Sequence, residues 1–113
     1  MAKQKSFKTV NLNLMVSHLT DEKPLGKVFL PPGRFTVILD YPFDDEYRFT
    51  VSSKWGMTAY DLAVRVAQRY AKIYGDRKLR NELGIWGHEI GDLGIEGFRV
   101  NLKANVVDVY IGS

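Results

Sequence analysis

The chain has 113 residues, no cysteine, 45% hydrophobic and 26% charged residues, and a formal net charge of +3. A length of this order fits one domain, residues 1–113, burying roughly two-thirds of its unfolded surface, and the composition is globular rather than disordered. Disulfides, thiolate catalysis and cysteine-ligated zinc are excluded, and no run approaches the ~20 apolar residues of a membrane-spanning helix.

Met1 to Lys8 (MAKQKSFK) is basic and leads into alternation, not a continuous apolar run. No secretory leader is expected, and the default location is cytoplasmic or otherwise intracellular, a viral assembly included. Phe7 to Leu19 alternates Val10, Leu12, Leu14 and Val16 with Asn11, Asn13, Met15 and Ser17, which predicts a strand with one buried face. Thr20 to Gly26, with Pro24, reads as a loop. Lys27 to Leu30, stopped by Pro31-Pro32-Gly33, reads as an edge strand or a plug over the core. Arg34 to Tyr41 and Tyr47 to Ser53 alternate cleanly and are joined by Pro42-Phe43-Asp44-Asp45-Glu46, the pattern of a β-hairpin.

Thr58 to Gly75 (TAYDLAVRVAQRYAKIYG) carries a full helix signature. Thr58 is placed to cap the first free amides, Asp61 to face the positive end of the dipole, Met57 to staple onto Leu62, and Gly75 to end the helix in a left-handed conformation. At ~100° per residue, Ala59, Leu62, Ala63, Val66, Tyr70 and Ile73 share one face, and Tyr60, Val64, Ala67, Ala71 and Tyr74 extend the apolar arc. Asp61, Arg65, Gln68, Arg69 and Lys72 fill a narrow polar strip. A single sheet covers a stripe of ~100° or slightly more, so this helix needs a second cover. The candidates are the N-terminal segment, the glycine-rich stretch downstream, or a protein partner or second copy meeting Tyr60, Val64, Ala67, Ala71 and Tyr74.

Asp76 to Gly84 predicts a short helix capped by Asp76, with Leu79 and Leu83 facing inward. Phe98 to Leu102 and Val106 to Ile111 predict a second hairpin through Lys103-Ala104-Asn105. The expected fold is α+β: a mixed sheet of four or five strands with one long helix packed across it, built as ββαββ plus an N-terminal strand. From Arg34 to Ser113 this order resembles the β-grasp, or ubiquitin-like, superfold. The chain ends Ile111-Gly112-Ser113, without the diglycine tail used in conjugation, so the resemblance implies a fold and no modifier role.

Gly84 to Gly97 (GIWGHEIGDLGIEG) holds glycines at 84, 87, 91, 94 and 97, which implies a compact loop with positive dihedrals or close backbone contact. The run Ile85-Trp86-Gly87-His88, followed by Asp92-Leu93 and Ile95-Glu96-Gly97, resembles the core motif of a family of small proteins with no assigned reaction. That resemblance covers residues 35 to 113 and implies a shared fold without a catalytic residue. The glycines form neither a Walker loop nor a dinucleotide fingerprint, and no serine sits in a nucleophile elbow.

His88, Glu89 and Asp92 are candidate metal ligands or an acid–base pair. In that i, i+1, i+4 spacing only His88 and Asp92 share a helical face, and the only other histidine is His18. The competing structural reading puts Trp86, Ile90, Leu93 and Ile95 in the core, with Glu96 capping a backbone amide. Charge is segregated: Lys54 to Arg80 carries seven basic and two acidic residues, a balance of +5, whereas Asp40–Glu46 and Glu82–Glu96 each hold four acids and no Lys or Arg. Arg65, Arg69, Lys72, Arg77, Lys78 and Arg80, with Lys3, Lys5 and Lys8, could therefore meet nucleic acid, with Tyr60, Tyr70 and Tyr74 as stacking groups. The sequence favours a non-enzymatic interaction or assembly module without a cofactor, docking a protein partner or a second copy through apolar surface or a sheet edge. Nucleic-acid binding, and a metal site or enzyme at His88, are the alternatives.

Overall fold

A computed structural model describes residues 7–19, 26–85 and 88–113. The elements are β1 (Phe7–Met15), β2 (Val28–Leu30), β3 (Gly33–Leu39), β4 (Tyr47–Ser53), β5 (Met57–Thr58), α1 (Ala59–Tyr74), α2 (Arg77–Leu83), β6 (Gly94–Asn101) and β7 (Val106–Gly112). Short 3-10 turns span Val16–His18 and Ile90–Asp92. The fold is α+β: a five-stranded mixed sheet in the order β1-β6-β7-β3-β4, a two-stranded ladder of β2 and β5, and one long helix. β3 and β7 run parallel at the centre, and every other pairing is antiparallel. Among the described residues no helix is long and apolar enough to cross a membrane.

The period-2 pattern decides which face of the sheet is dry. Phe35, Val37 and Leu39, Phe49 and Val51, Val107 and Val109, and Ile95, Phe98 and Val100 are buried, while Arg48, Thr50, Ser52, Arg99, Asp108 and Tyr110 between them are exposed. α1 joins that face through Leu62, Ala63, Val66, Tyr70 and Ile73, all fully buried. Thr58 caps the helix by accepting from the Asp61 amide at 3.1 Å.

The second cover of α1 is the N-terminal part of this chain. β2 lies with Ala59 and Tyr60 on one side, and the 3-10 turn at Val16–His18 lies with Ala67 and Ala71 on the other. Val64, between them, is fully buried. β2 is thus the plug that Phe29 and Leu30 predict, both buried, and Lys8 fastens it by donating from Nζ to the Phe29 carbonyl at 2.8 Å.

Three details differ from the sequence reading. The first strand stops at Met15, because the Val16 amide turns to the Leu93 carbonyl (3.0 Å) and Val16 drops into the core. Gly75 is right-handed (φ −80°, ψ −7°), since only Gly75 and Asp76 link α1 to α2; the left-handed glycine is Gly84, at the end of α2. The first strand of the hairpin ends at Leu39, and Tyr41 and Pro42 belong to the connection, with a cis Tyr41–Pro42 bond. α2 itself starts as read, with the Asp76 side chain accepting from the Leu79 amide at 3.1 Å and Leu83 buried. The loop predicted at Thr20–Gly26 falls, except for Gly26, outside the described residues.

Candidate functional site

The glycine-rich stretch is held from both sides by tyrosines. Tyr74 on α1 donates its hydroxyl to the His88 carbonyl (3.0 Å), and the His88 ring nitrogen Nε2 lies 3.2 Å from the Tyr41 hydroxyl, which also meets the Ser113 hydroxyl at 2.8 Å. The Tyr41 and His88 rings lean together at 5.3 Å between centroids. Burial, then the nearby charge of Asp92 and then Tyr41, raise the pKa of Tyr74, while Arg80 partly offsets them. Asp92 is turned onto its own loop, where a carboxylate oxygen accepts from the Glu89 amide at 3.3 Å.

His88, Glu89 and Asp92 therefore do not converge. Among the described residues no group of three His, Asp or Glu side chains is placed to hold a metal ion. Leu93 and Ile95 are fully buried and Ile90 is half-buried against the core. Trp86, read as a core residue, lies outside the described residues. Glu96 is exposed on β6 beside Gly112. A cleft of about 660 Å³ opens against this loop, lined by Tyr74, Arg80, Asn81, Ile85, His88, Glu89 and Ile90.

The predicted interaction face is divided. Val64 and Ala67 are buried inside the chain, Tyr60 and Tyr74 are half-buried, and Ala71 is exposed. Ala67 and Ala71 line a mostly apolar slot of about 380 Å³ shared with Val16, Ser17, Leu19, Gln68 and Ile90.

The predicted basic set is divided too, and one part of it coincides with a sheet edge. Arg65, Gln68, Arg69 and Lys72 on α1 and Phe49, Thr50 and Val51 on β4 line a groove of about 170 Å³. Arg80 lines the His88 cleft instead, and Arg77 and Lys78 are exposed on α2. In the groove the Arg69 guanidinium lies over the Phe49 ring, 4.8 Å from its centroid, and donates to the Tyr47 hydroxyl at 3.2 Å. Tyr60, Tyr70 and Tyr74 do not line this groove, and Tyr70 is fully buried.

The sequence offers Lys27 to Leu30 as the edge strand, but that segment pairs with β5 in the small ladder, and the edges of the main sheet are other strands. The sheet order puts β4 at one edge and β1 at the other, and among the described residues nothing pairs with the outer side of β4. The two edges differ. β1 breaks register between Asn11 and Leu14, whereas β4 pairs with β3 in unbroken register from Tyr47 to Ser53. A bulge disfavours the addition of another strand, and a flat, regular edge leaves a row of amides and carbonyls to template one. Two residues past β4, Trp55 is 80% exposed.

Comparison with family models, with curated proteins and with solved structures finds no match to this chain. Its site is accordingly read from its own residues.

Proposed function

We propose that this protein is a non-enzymatic interaction module that takes up a partner along the open edge of β4, with the β4–α1 groove receiving the partner's side chains. The observation that carries this reading is the regular seven-residue edge of β4, free among the described residues, beside the groove. Successive residues of β4 point their backbone groups alternately toward β3 and away from it, so the outward half is available for a ladder. The groove is smaller than the roughly 300–1,000 Å³ of ordinary small-molecule sites and suits one or two side chains. Trp55, exposed at the end of the strand, is a residue type enriched at interface anchors. The ββαββ order with its central parallel pair supports the β-grasp resemblance, which says nothing further about the partner.

A photoreactive side chain placed at Ser52, exposed on β4, tests the reading in cells of the native host. A discrete cross-linked species from Ser52, absent when the same group stands at Asn11 on the bulged β1 edge, is the expected result. Adducts from neither position, or equal adducts from both, would remove the assignment to β4.

A further inference from the structure

We infer, on the basis of the edge-docking reading, that the partner is an acidic, extended segment of another protein that lies beside β4 as a sixth strand of the main sheet, its carboxylates over Arg69 and Lys72. Among the described residues, the charged side chains lining the groove are two arginines and a lysine, with Gln68 between them. Cations held along one wall of a shallow groove raise the local concentration of negative charge and penalise positive partners.

A second copy of this chain does not meet that requirement. β4 (YRFTVSS) contains no acid, and its Arg48 is ion-paired with Glu46 at 2.9 Å; β1 (FKTVNLNLM) contains no acid either, and its Lys8 donates to the Phe29 carbonyl. Pairing β4 with β4, or β1 with β4, would therefore lay no carboxylate of the added strand against Arg69 and Lys72, whereas opposite charges beside a ladder stabilise it. A single-stranded nucleic acid fits less well than a peptide. Single-strand binding relies on a row of aromatic faces left open for successive bases; here Arg69 lies over the buried Phe49, and the exposed Trp55 is a single ring with Lys54 5.4 Å from its centroid. What remains complementary is a strand with acids at its flank and a small branched side chain for the groove.

The test is selection from a random twelve-residue peptide library against the purified full chain, followed by synthesis of the recovered peptides in three forms: as selected, with Asp and Glu changed to their amides, and with alternate backbone nitrogens methylated. Amide chemical shifts locate the site and titration gives the affinity. The expected result is enrichment of Asp and Glu beside β-branched residues, with shifts confined to β4 and to Arg65–Lys72. Affinity should fall roughly tenfold or more on backbone methylation, which removes ladder hydrogen bonds. It should fall roughly three- to tenfold on amidation, in Lys72→Glu, and on raising salt. Lys72 is exposed and outside the core, so that variant leaves the fold unchanged. Peptides that bind β4 without acid enrichment and without loss in Lys72→Glu overturn the acidic partner and leave edge docking standing. Recovery of no peptide that shifts β4 overturns both, and a twelve-nucleotide oligothymidylate that displaces the selected peptides and binds more tightly overturns the strand in favour of nucleic acid.

Discussion

The hydroxyl of Tyr70 is the most consequential polar group in the core. Its ring is fully buried and stacks on Phe43 at 5.8 Å, and its hydroxyl donates to the Tyr41 carbonyl at 2.6 Å. Burial, then the charge of Asp40 and the neighbouring Tyr74, push its pKa far above the ordinary tyrosine value. Because the folded value lies above the unfolded one, the contribution to stability is complete below pH ~10 and is lost as pH rises beyond it, by up to ~1.4 kcal/mol per pH unit for one such group. Tyr70→Phe should cost about 1 kcal/mol at neutral pH, from the lost hydrogen bond, and the gap to the natural protein should close above pH ~10. Urea unfolding at pH 7 and at pH 11 measures both ends; a gap unchanged between them would mean that Tyr70 ionises as easily folded as unfolded. Periodicity alone places Tyr70 on the inward face of the helix. Its acceptor is a carbonyl 29 residues upstream, in a turn whose geometry no local pattern states.

At the scale of elements, legibility follows how local the cause is. Thr58, Asp61 and the spacing of Leu62, Val66, Tyr70 and Ile73 define α1 within its own residues, and the helix starts where they say. Thr58→Ala should destabilise by about 1 kcal/mol through the lost cap, read as a lower thermal midpoint, with Thr58→Ser recovering most of it; equal losses in both would point to packing of the buried Thr58 methyl instead. Gly75 departs from the left-handed expectation because the chain must turn at once into α2, and Val16 leaves the strand because the Leu93 carbonyl that draws it out is distant in sequence. Gly97 shows the same dependence. A methyl there would run into the Val10 carbonyl oxygen of β1, at the point where β6 shifts register against β7. Glycine at 97 therefore lets the N-terminal strand close against the sheet. Gly97→Ala should cost about 1–3 kcal/mol, the range for overpacked sites, and should speed hydrogen exchange of the β1 amides from Phe7 to Leu14 while β3 and β4 stay protected; uniform acceleration would refute so local a role.

The whole molecule is a one-faced sheet with two unlike edges, and its behaviour in solution depends on how each edge resists a second copy. β1 is interrupted by its register shift and exposes Lys8, Asn11 and Asn13. β4 has no such interruption, and the wall beside it carries Arg65, Arg69 and Lys72. Natural sheets protect open edges with bulges and with charge; here each edge uses one of the two devices. On the proposal above, the same cations would also disfavour β4 of one molecule against β4 of another, giving partner choice and resistance to self-pairing one origin. The sequence showed both ingredients, an alternating Tyr47–Ser53 and a basic strip on the helix, but not their juxtaposition, which exists only once α1 has crossed the sheet. If repulsion is what keeps copies apart, removing it should reveal the edge. The double change Arg65→Gln and Lys72→Gln, which leaves Arg69 on Phe49, should give a dimer fraction in sedimentation that exceeds the natural protein's at the same moderate salt and rises with concentration. Thr36 donates its amide to Asn105, on the β7 side, and pairs with Thr50, so the amides of Thr50 and Ser52 face away from β3; adding Pro at Ser52 should reverse the gain. A double variant that stays monomeric at every concentration would show that the shape of β4, rather than its charge, excludes a second copy.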